Sequence, residues 1–142
     1  AAFQDQVEQF KRLALYLGGV AVNKYGPAIQ DKQTVLAAIS DCVMEAYVAD
    51  TNMRRLLKLR ATQGEDKCKV PVDMVCTYLT ERLPELHAMV DRVLVSIAEG
   101  NEEEYLPYLK ATRRLCPQLG WDTLAAKNRI AEAIINNRGY TW

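Results

Sequence analysis

Apolar residues recur at steps of three and four from the start of the chain. Phe3, Val7, Phe10, Ala14, Leu17 and Ala21 fall on one helical face, while Gln4, Asp5, Glu8, Lys11 and Arg12 lie off it. The pattern predicts a helix over residues 3–23, weakened in its later part by Gly18 and Gly19. Gly26 suits the position just past a helix, and Pro27 cannot continue one but can open the next. A second helix is predicted over residues 27–61. Val35, Ile39, Cys42, Ala46, Ala49, Met53 and Leu56 form its stripe, and Leu36, Val43, Tyr47 and Leu57 are expected to widen it. At 1.5 Å per residue it would run roughly 50 Å.

The stretch TQGEDKCKVP, residues 62–71, reads as a polar connection with Gly64 at the helix end and Pro71 in the next first turn. A third helix is predicted over residues 71–98, with Val72, Val75, Leu79, Leu83, Leu86, Val90, Val93 and Ile97 as its seam. Pro84 inside it removes a backbone bond, so a kink is expected near residues 80–84. Gly100 closes this helix, and Asn101 can cap a shorter one over residues 102–115, with Glu104 completing a capping box and Pro107 inside its first half. After CPQLGWDT, Asp122 or Thr123 can cap a last helix to Asn137, with Leu124, Ala131, Ile134 and Ile135 facing inward. RGYTW reads as a tail. No segment alternates as a strand does. Three long helices and two shorter ones on short loops predict an all-α, antiparallel up-and-down bundle, close to a four-helix bundle.

Composition sharpens this picture by exclusion. The 142 residues suit one domain, and 49% hydrophobic content is enough for a core. Lys plus Arg and Asp plus Glu are both 18, a balance that argues against nucleic acid and against anionic membrane as partners. No apolar run approaches the roughly 18 residues of a membrane span. Cys42, Cys68, Cys76 and Cys116 form no CxxC pair, which disfavours a zinc site and suggests reduced thiols in a cytoplasmic protein, Cys42 and Cys76 serving as small core residues.

The candidate chemistry is thin. Arg54, Arg55, Lys58 and Arg60 crowd the end of the second helix, where cations complement the helix dipole; a solvated basic end is the simpler reading than an anion site. Glu102, Glu103 and Glu104 point in different directions at a helix start that favours negative charge. His87 lacks the neighbours of a catalytic triad and is expected at the surface or rim. Asp41, Glu45 and Asp50 cannot build a carboxylate-bridged di-iron site with one histidine in the chain; Asp50 is expected to pair with a basic residue of another helix. Tyr47, Tyr78, Tyr105, Tyr108 and Trp121 are expected to fill core rather than line a ligand pocket. No Gly-rich phosphate loop or GxSxG motif occurs.

The stretch KYGPAIQDKQTVLAAISDCVMEAYVADTNMRRLLKL resembles the helical region appended after the catalytic core in acyl-CoA dehydrogenases of the very-long-chain type. There a lysine-containing turn leads into a helix patterned Q-x-x-L-x-x-[IL]-[AS]-D, with a later E/D-x-Y-A element. Here those positions read Gln33, Leu36, Ile39, Ser40, Asp41, then Glu45, Tyr47 and Ala49. The tail AAKNRIAEAIINNRGYTW is similar to the end of that region. The resemblance implies an FAD-dependent enzyme that forms the 2,3-double bond of an acyl-CoA, in which a glutamate takes the α-proton and hydride passes to the flavin. It further implies a homodimer, with flavin and substrate held mainly by a core that would precede this chain. AEGNEEEY superficially looks like a glutamate-containing EGT loop of several members, but Asn101 stands where that motif has a hydroxyl residue, and Glu99 is rejected as the base.

The resemblance thus assigns no catalytic, cofactor-binding or metal residue to this chain. Residues 1–142 are expected to form one helical domain, the C-terminal part of a longer chain, inert by itself and packing on the core or supporting the dimer. The start Ala-Ala-Phe-Gln, without Met, agrees with an excerpt. An exposed apolar patch should mark the docking face. The alternative is a free-standing helical protein-interaction module, using the basic end of the second helix and the acidic start of the fourth. A membrane-surface role is disfavoured because the polar face of the first helix mixes Asp5, Glu8, Lys11 and Arg12.

Overall fold

A computed structural model describes residues 2–140. Ala1, and Thr141 and Trp142 at the end of the predicted tail, lie outside the described residues. The chain forms α1 (Ala2–Tyr25), a 3-10 turn (Gly26–Asp31), α2 (Gln33–Gln63), a second 3-10 turn (Asp66–Cys68), α3 (Lys69–Ile97), α4 (Glu102–Leu115) and α5 (Thr123–Asn137). Helices α1, α2 and α3 pack on one another. Helix α4 lies against α3 and α1, and α5 against α3 alone among the described helices.

The apolar stripes meet in one core. Val7, Phe10, Leu13 and Leu17 of α1 join Cys42, Ala49 and Met53 of α2 and Leu79, Leu83, Val90 and Ile97 of α3, all buried. Burial of this kind, at about 25 cal/mol per Å² of apolar surface, is what holds helices that are marginal alone. The half of α2 that was expected to widen its stripe does not reach this core. Leu36, Val43, Tyr47 and Leu57 are exposed. A helix between two neighbours buries an arc, and the arc of α2 is already filled by Val35, Cys42, Ala46, Ala49, Met53 and Leu56.

Local chemistry accounts for the boundaries. Helix α1 runs straight through Gly18 and Gly19, because buried Leu17 and Ala21 on either side anchor it. Gly26 then turns left-handed (φ 53°), and Pro27 opens the 3-10 turn rather than α2 itself. Lys32 closes that turn, its N–H donating to the Ile29 carbonyl at 3.0 Å, so α2 starts at Gln33. Gly64 ends α2 with φ 85°, a conformation open to glycine at little cost. Helix α3 begins two residues before Pro71, since first-turn N–H groups have no intrahelical partner to lose. Asn101 caps α4 by accepting from the Glu103 N–H at 3.1 Å. The expected capping box is not completed. Glu104 turns away to Lys24 of α1 at 3.0 Å, because a cation on a neighbouring helix attracts the carboxylate more than one neutral N–H does.

Helix α3 is unbroken through Pro84. Proline leaves the carbonyl of Thr80, four residues back, without its helical donor. Gln118, in the link after α4, supplies one: its Nε2 donates to the Thr80 oxygen at 3.2 Å. Gln118→Ala is expected to cost about 1 kcal/mol. In a Pro84→Ala background, where residue 84 regains an N–H for Thr80, the same change should cost nothing. A double-mutant cycle read by urea midpoints checks this coupling, and equal costs in both backgrounds would refute it.

The last helix holds the largest correction. Asp122 caps α5 as expected, accepting from the Ala125 N–H at 3.0 Å. The inward face, however, is Ala126, Ile130, Ala133 and Ile134, while Leu124, Ala131 and Ile135 are exposed. Helix α5 carries apolar residues on two faces, and an ion pair selects between them. Arg129 donates through Nε and Nη2 to both oxygens of buried Asp73 on α3, at 2.8 and 2.7 Å.

Candidate functional site

The exposed apolar residues of α1 and α2 gather in one place. On α1, Leu15, Gly18, Gly19 and Val22 recur at helical spacing on the flank of the buried stripe; on α2, Leu36, Ile39, Val43, Ala46 and Tyr47 do the same. Together with Ala14 and Ile29 they line an open groove of about 780 Å³ between the two helices. Its floor is low because Ala14, Gly18, Gly19 and Ala46 have little or no side chain, and its walls are aliphatic apart from Tyr47. Leu15 and Tyr47 are 75% and 71% exposed. A contiguous apolar surface of this kind raises the free energy of a chain in water unless something covers it.

One end of the groove is closed by charge. Lys11 donates to Asp50 at 2.9 Å and to Glu8 at 2.7 Å, and Arg54 Nε donates to Asp50 at 2.6 Å. The hydrogen bonds from Lys11 and Arg54 hold the Asp50 carboxyl below its ordinary value, and those to Glu8 and Asp50 raise the Lys11 ammonium. Asp50 therefore ties α2 to a basic residue of another helix, as its place beside the apolar stripe suggested.

The other sequence candidates do not converge. Arg54 is engaged by Asp50 and Arg60 by Glu65, while Arg55 and Lys58 are exposed, so the basic end of α2 forms no single anion site. Glu104 pairs with Lys24, and Glu102 and Glu103 face solvent. Glu99 is exposed with a left-handed φ of 53° at the end of α3. Glu45 meets Arg82 and accepts from the Tyr78 hydroxyl at 2.8 Å; burial pushes its carboxyl up, but these bonds outweigh burial and leave it low. Asp41 lines, with this pair, a cavity of about 290 Å³. Of the five aromatics expected in the core, Tyr47 is exposed, and Tyr78, Tyr105, Tyr108 and Trp121 are half-buried; Trp121 packs edge-on against Phe3 at 5.6 Å.

The four cysteines are unpaired and buried. Burial pushes the Cys42 thiol up to about 12 and those of Cys76 and Cys116 up to about 11, so they stay protonated and unreactive near neutrality. Among the described residues, no group of three His, Cys, Asp or Glu side chains could hold a metal, and no helix is long and apolar enough to cross a membrane.

His87 overturns its expected place at the surface. It is 5% exposed, with Nε2 2.7 Å from the Cys116 carbonyl and Nδ1 2.8 Å from Arg113 Nη1. The lack of triad neighbours suggested a surface or rim position, but the partners that bury it come from α4 and the link beyond, invisible in local sequence.

Comparison with known proteins agrees with this architecture. The family "Acyl-CoA dehydrogenase, C-terminal domain" matches residues 9–114. A Bacillus subtilis (strain 168) protein described as "Probable acyl-CoA dehydrogenase" is 29% identical over 135 residues, covering 95% of this chain and 22% of that protein. A crystal structure of acyl-CoA dehydrogenase complexed with FAD from Bacillus anthracis superposes with a TM-score of 0.90 at 26% identity, over 99% of this chain and 24% of that one. The chain thus spans between a fifth and a quarter of the length of these relatives.

Proposed function

Because the chain belongs to the acyl-CoA dehydrogenase C-terminal domain family, we propose that it is the accessory helical domain of a longer, FAD-dependent enzyme that introduces the 2,3-double bond into a fatty acyl-CoA in the cytoplasm. Its work is to pack on the catalytic core of its own polypeptide or to support the homodimer, without contributing a catalytic residue. The observation that carries this reading is the uncovered groove between α1 and α2, whose aliphatic walls and glycine floor suit a protein surface laid against it. The very-long-chain type rests on the α2 pattern Gln33, Leu36, Ile39, Ser40, Asp41, Glu45, Tyr47 and Ala49 and on the similarity of the C-terminal stretch.

In such an enzyme FAD supplies the hydride acceptor. The described residues of this chain offer no support for a flavin site. A dinucleotide needs donors for its diphosphate, such as a Gly-rich turn opening a helix. Here Gly26, Gly64 and Gly100 are the left-handed glycines closing α1, α2 and α3, and Lys11, Lys24, Arg54, Arg82, Arg113 and Arg129 are engaged by carboxylates. The flavin and the proton-abstracting glutamate are accordingly assigned to the rest of the polypeptide.

The deciding test is the coding sequence upstream of Ala1, with the absorbance of the full-length product at about 450 nm. A dehydrogenase core and a flavin band are expected. A stop codon immediately upstream, or a colourless full-length protein, would overturn the reading and leave a free-standing interaction bundle.

A further inference from the structure

The joint between α3 and α4 is built around one buried histidine whose two nitrogens have opposite tasks. Nε2 lies 2.7 Å from the Cys116 carbonyl, which only accepts, so Nε2 carries a proton. Nδ1 lies 2.8 Å from Arg113 Nη1, which only donates, so Nδ1 must be bare. Neutral imidazole with its proton on Nε2 satisfies both contacts, and the doubly protonated ring satisfies only one. Arg113 is held at the same time by Asp91, one helical turn beyond His87, with Nη1 and Nη2 at 3.1 and 2.7 Å from its two oxygens. One guanidinium thus connects α4 to two successive turns of α3, and it does so only while His87 is neutral.

We propose that His87, Asp91 and Arg113 form an acid-released clasp between α3 and the C-terminal end of α4. When Nδ1 gains a proton, two donors face each other across 2.8 Å, and Arg113 must withdraw. Asp91 is then free to accept from the imidazolium, and the last turn of α4 loses its tie. The opening is local. Glu104 still holds the start of α4 to Lys24, Gln6 still donates to the Pro117 carbonyl at 3.0 Å, and α5 keeps its own pair to Asp73.

The groups facing the imidazole set the direction. From α3 there is Asp91, which favours the cation. From α4 there is Arg113, which opposes it, with Lys110 and Arg114 adding positive charge to the same groove. The Cys116 thiol is buried and protonated, and the group of α1 that donates to it and to the Pro117 carbonyl is the neutral amide of Gln6. Burial is the largest influence and lowers the His87 pKa below its ordinary 6.5; the Cys116 carbonyl bond raises it, Arg113 lowers it, and Asp91 raises it. The clasped form therefore binds fewer protons than the released form, so its stability falls as pH drops below 6.5 and levels off once pH is below the clasped value.

Peptide-resolved hydrogen exchange between about pH 7.5 and 5, corrected for chemical exchange rates, tests the clasp. Protection of residues 109–116 should fall by up to about tenfold per pH unit, the limit for one proton, while that of α5 stays level. His87→Gln, whose amide can donate to Cys116 and accept from Arg113 but does not titrate here, should abolish the pH dependence. Nitrogen NMR on the unmodified protein gives a second readout that needs no variant, and should show the proton on Nε2 at neutral pH. Unchanged protection while His87 titrates, an acid response that survives in His87→Gln, or a proton found on Nδ1 would each overturn the proposal.

Discussion

Replacing Phe10 with alanine is expected to remove about 3–5 kcal/mol of stability, a large share of the roughly 5–15 kcal/mol of an ordinary domain. Phe10 is 1% exposed and lies in the cluster with Leu13, Leu17 and the α3 leucines. It sits in a core that α1, α2 and α3 share, so the cavity left by the ring is not filled without rearranging closely packed neighbours. Leu15, on the same helix and similarly apolar, should by contrast change the stability of this domain by less than about 0.5 kcal/mol when cut to alanine. Urea unfolding of both variants measures the difference. Matching midpoints would mean that α1 is rotated from the arrangement described here.

The second large effect depends on what covers the groove. Val43→Asp places a carboxylate on an exposed wall and should leave the isolated domain within about 0.5 kcal/mol of its parent. In a longer polypeptide that docks over the groove, the same carboxylate is buried without a partner, at a cost of several kcal/mol. The domain should then separate from the core, seen as a split thermal transition and as early release of a fragment of about 16 kDa on limited proteolysis. A full-length variant that melts and digests like its parent would remove the groove from the interface and move the search to the outer face of α5, where Leu124 and Ile135 are also exposed.

Both predictions turn on helix phase, and phase marks how far the sequence could be read. Where one stripe is apolar and its opposite is charged, as in α1, the periodicity found most of the inward face: Val7, Phe10, Ala14, Leu17 and Ala21 are interior, but so are Gln6 and Leu13, which it did not name, and Phe3 is half-buried. Where a helix carries apolar residues around more than half its circumference, periodicity allows several inward faces. In α2 that surplus became the groove, and the pattern Leu36, Val43, Tyr47 was legible as apolar but not as uncovered. In α5 the surplus misled: Leu124 and Ile135 looked interior, and the Asp73–Arg129 pair, 56 residues apart in the chain, decided otherwise.

The polar interactions follow the same division. The Asn101 and Asp122 caps were readable because a cap and its helix start are neighbours in sequence. The partners of Glu104, Thr80 and His87 were not, since each lies on a different helix or link. Hydrophobic periodicity and capping are local, set by a turn or two of chain, and from them the sequence determined five helices, their approximate ends and an all-α bundle. Burial arcs, ion pairs and the state of a histidine depend on which surfaces meet. Only the packing of α4 and the link after it onto α3 decided that His87 is interior, and only the pairing of α1 with α2 turned scattered exposed aliphatics into a surface.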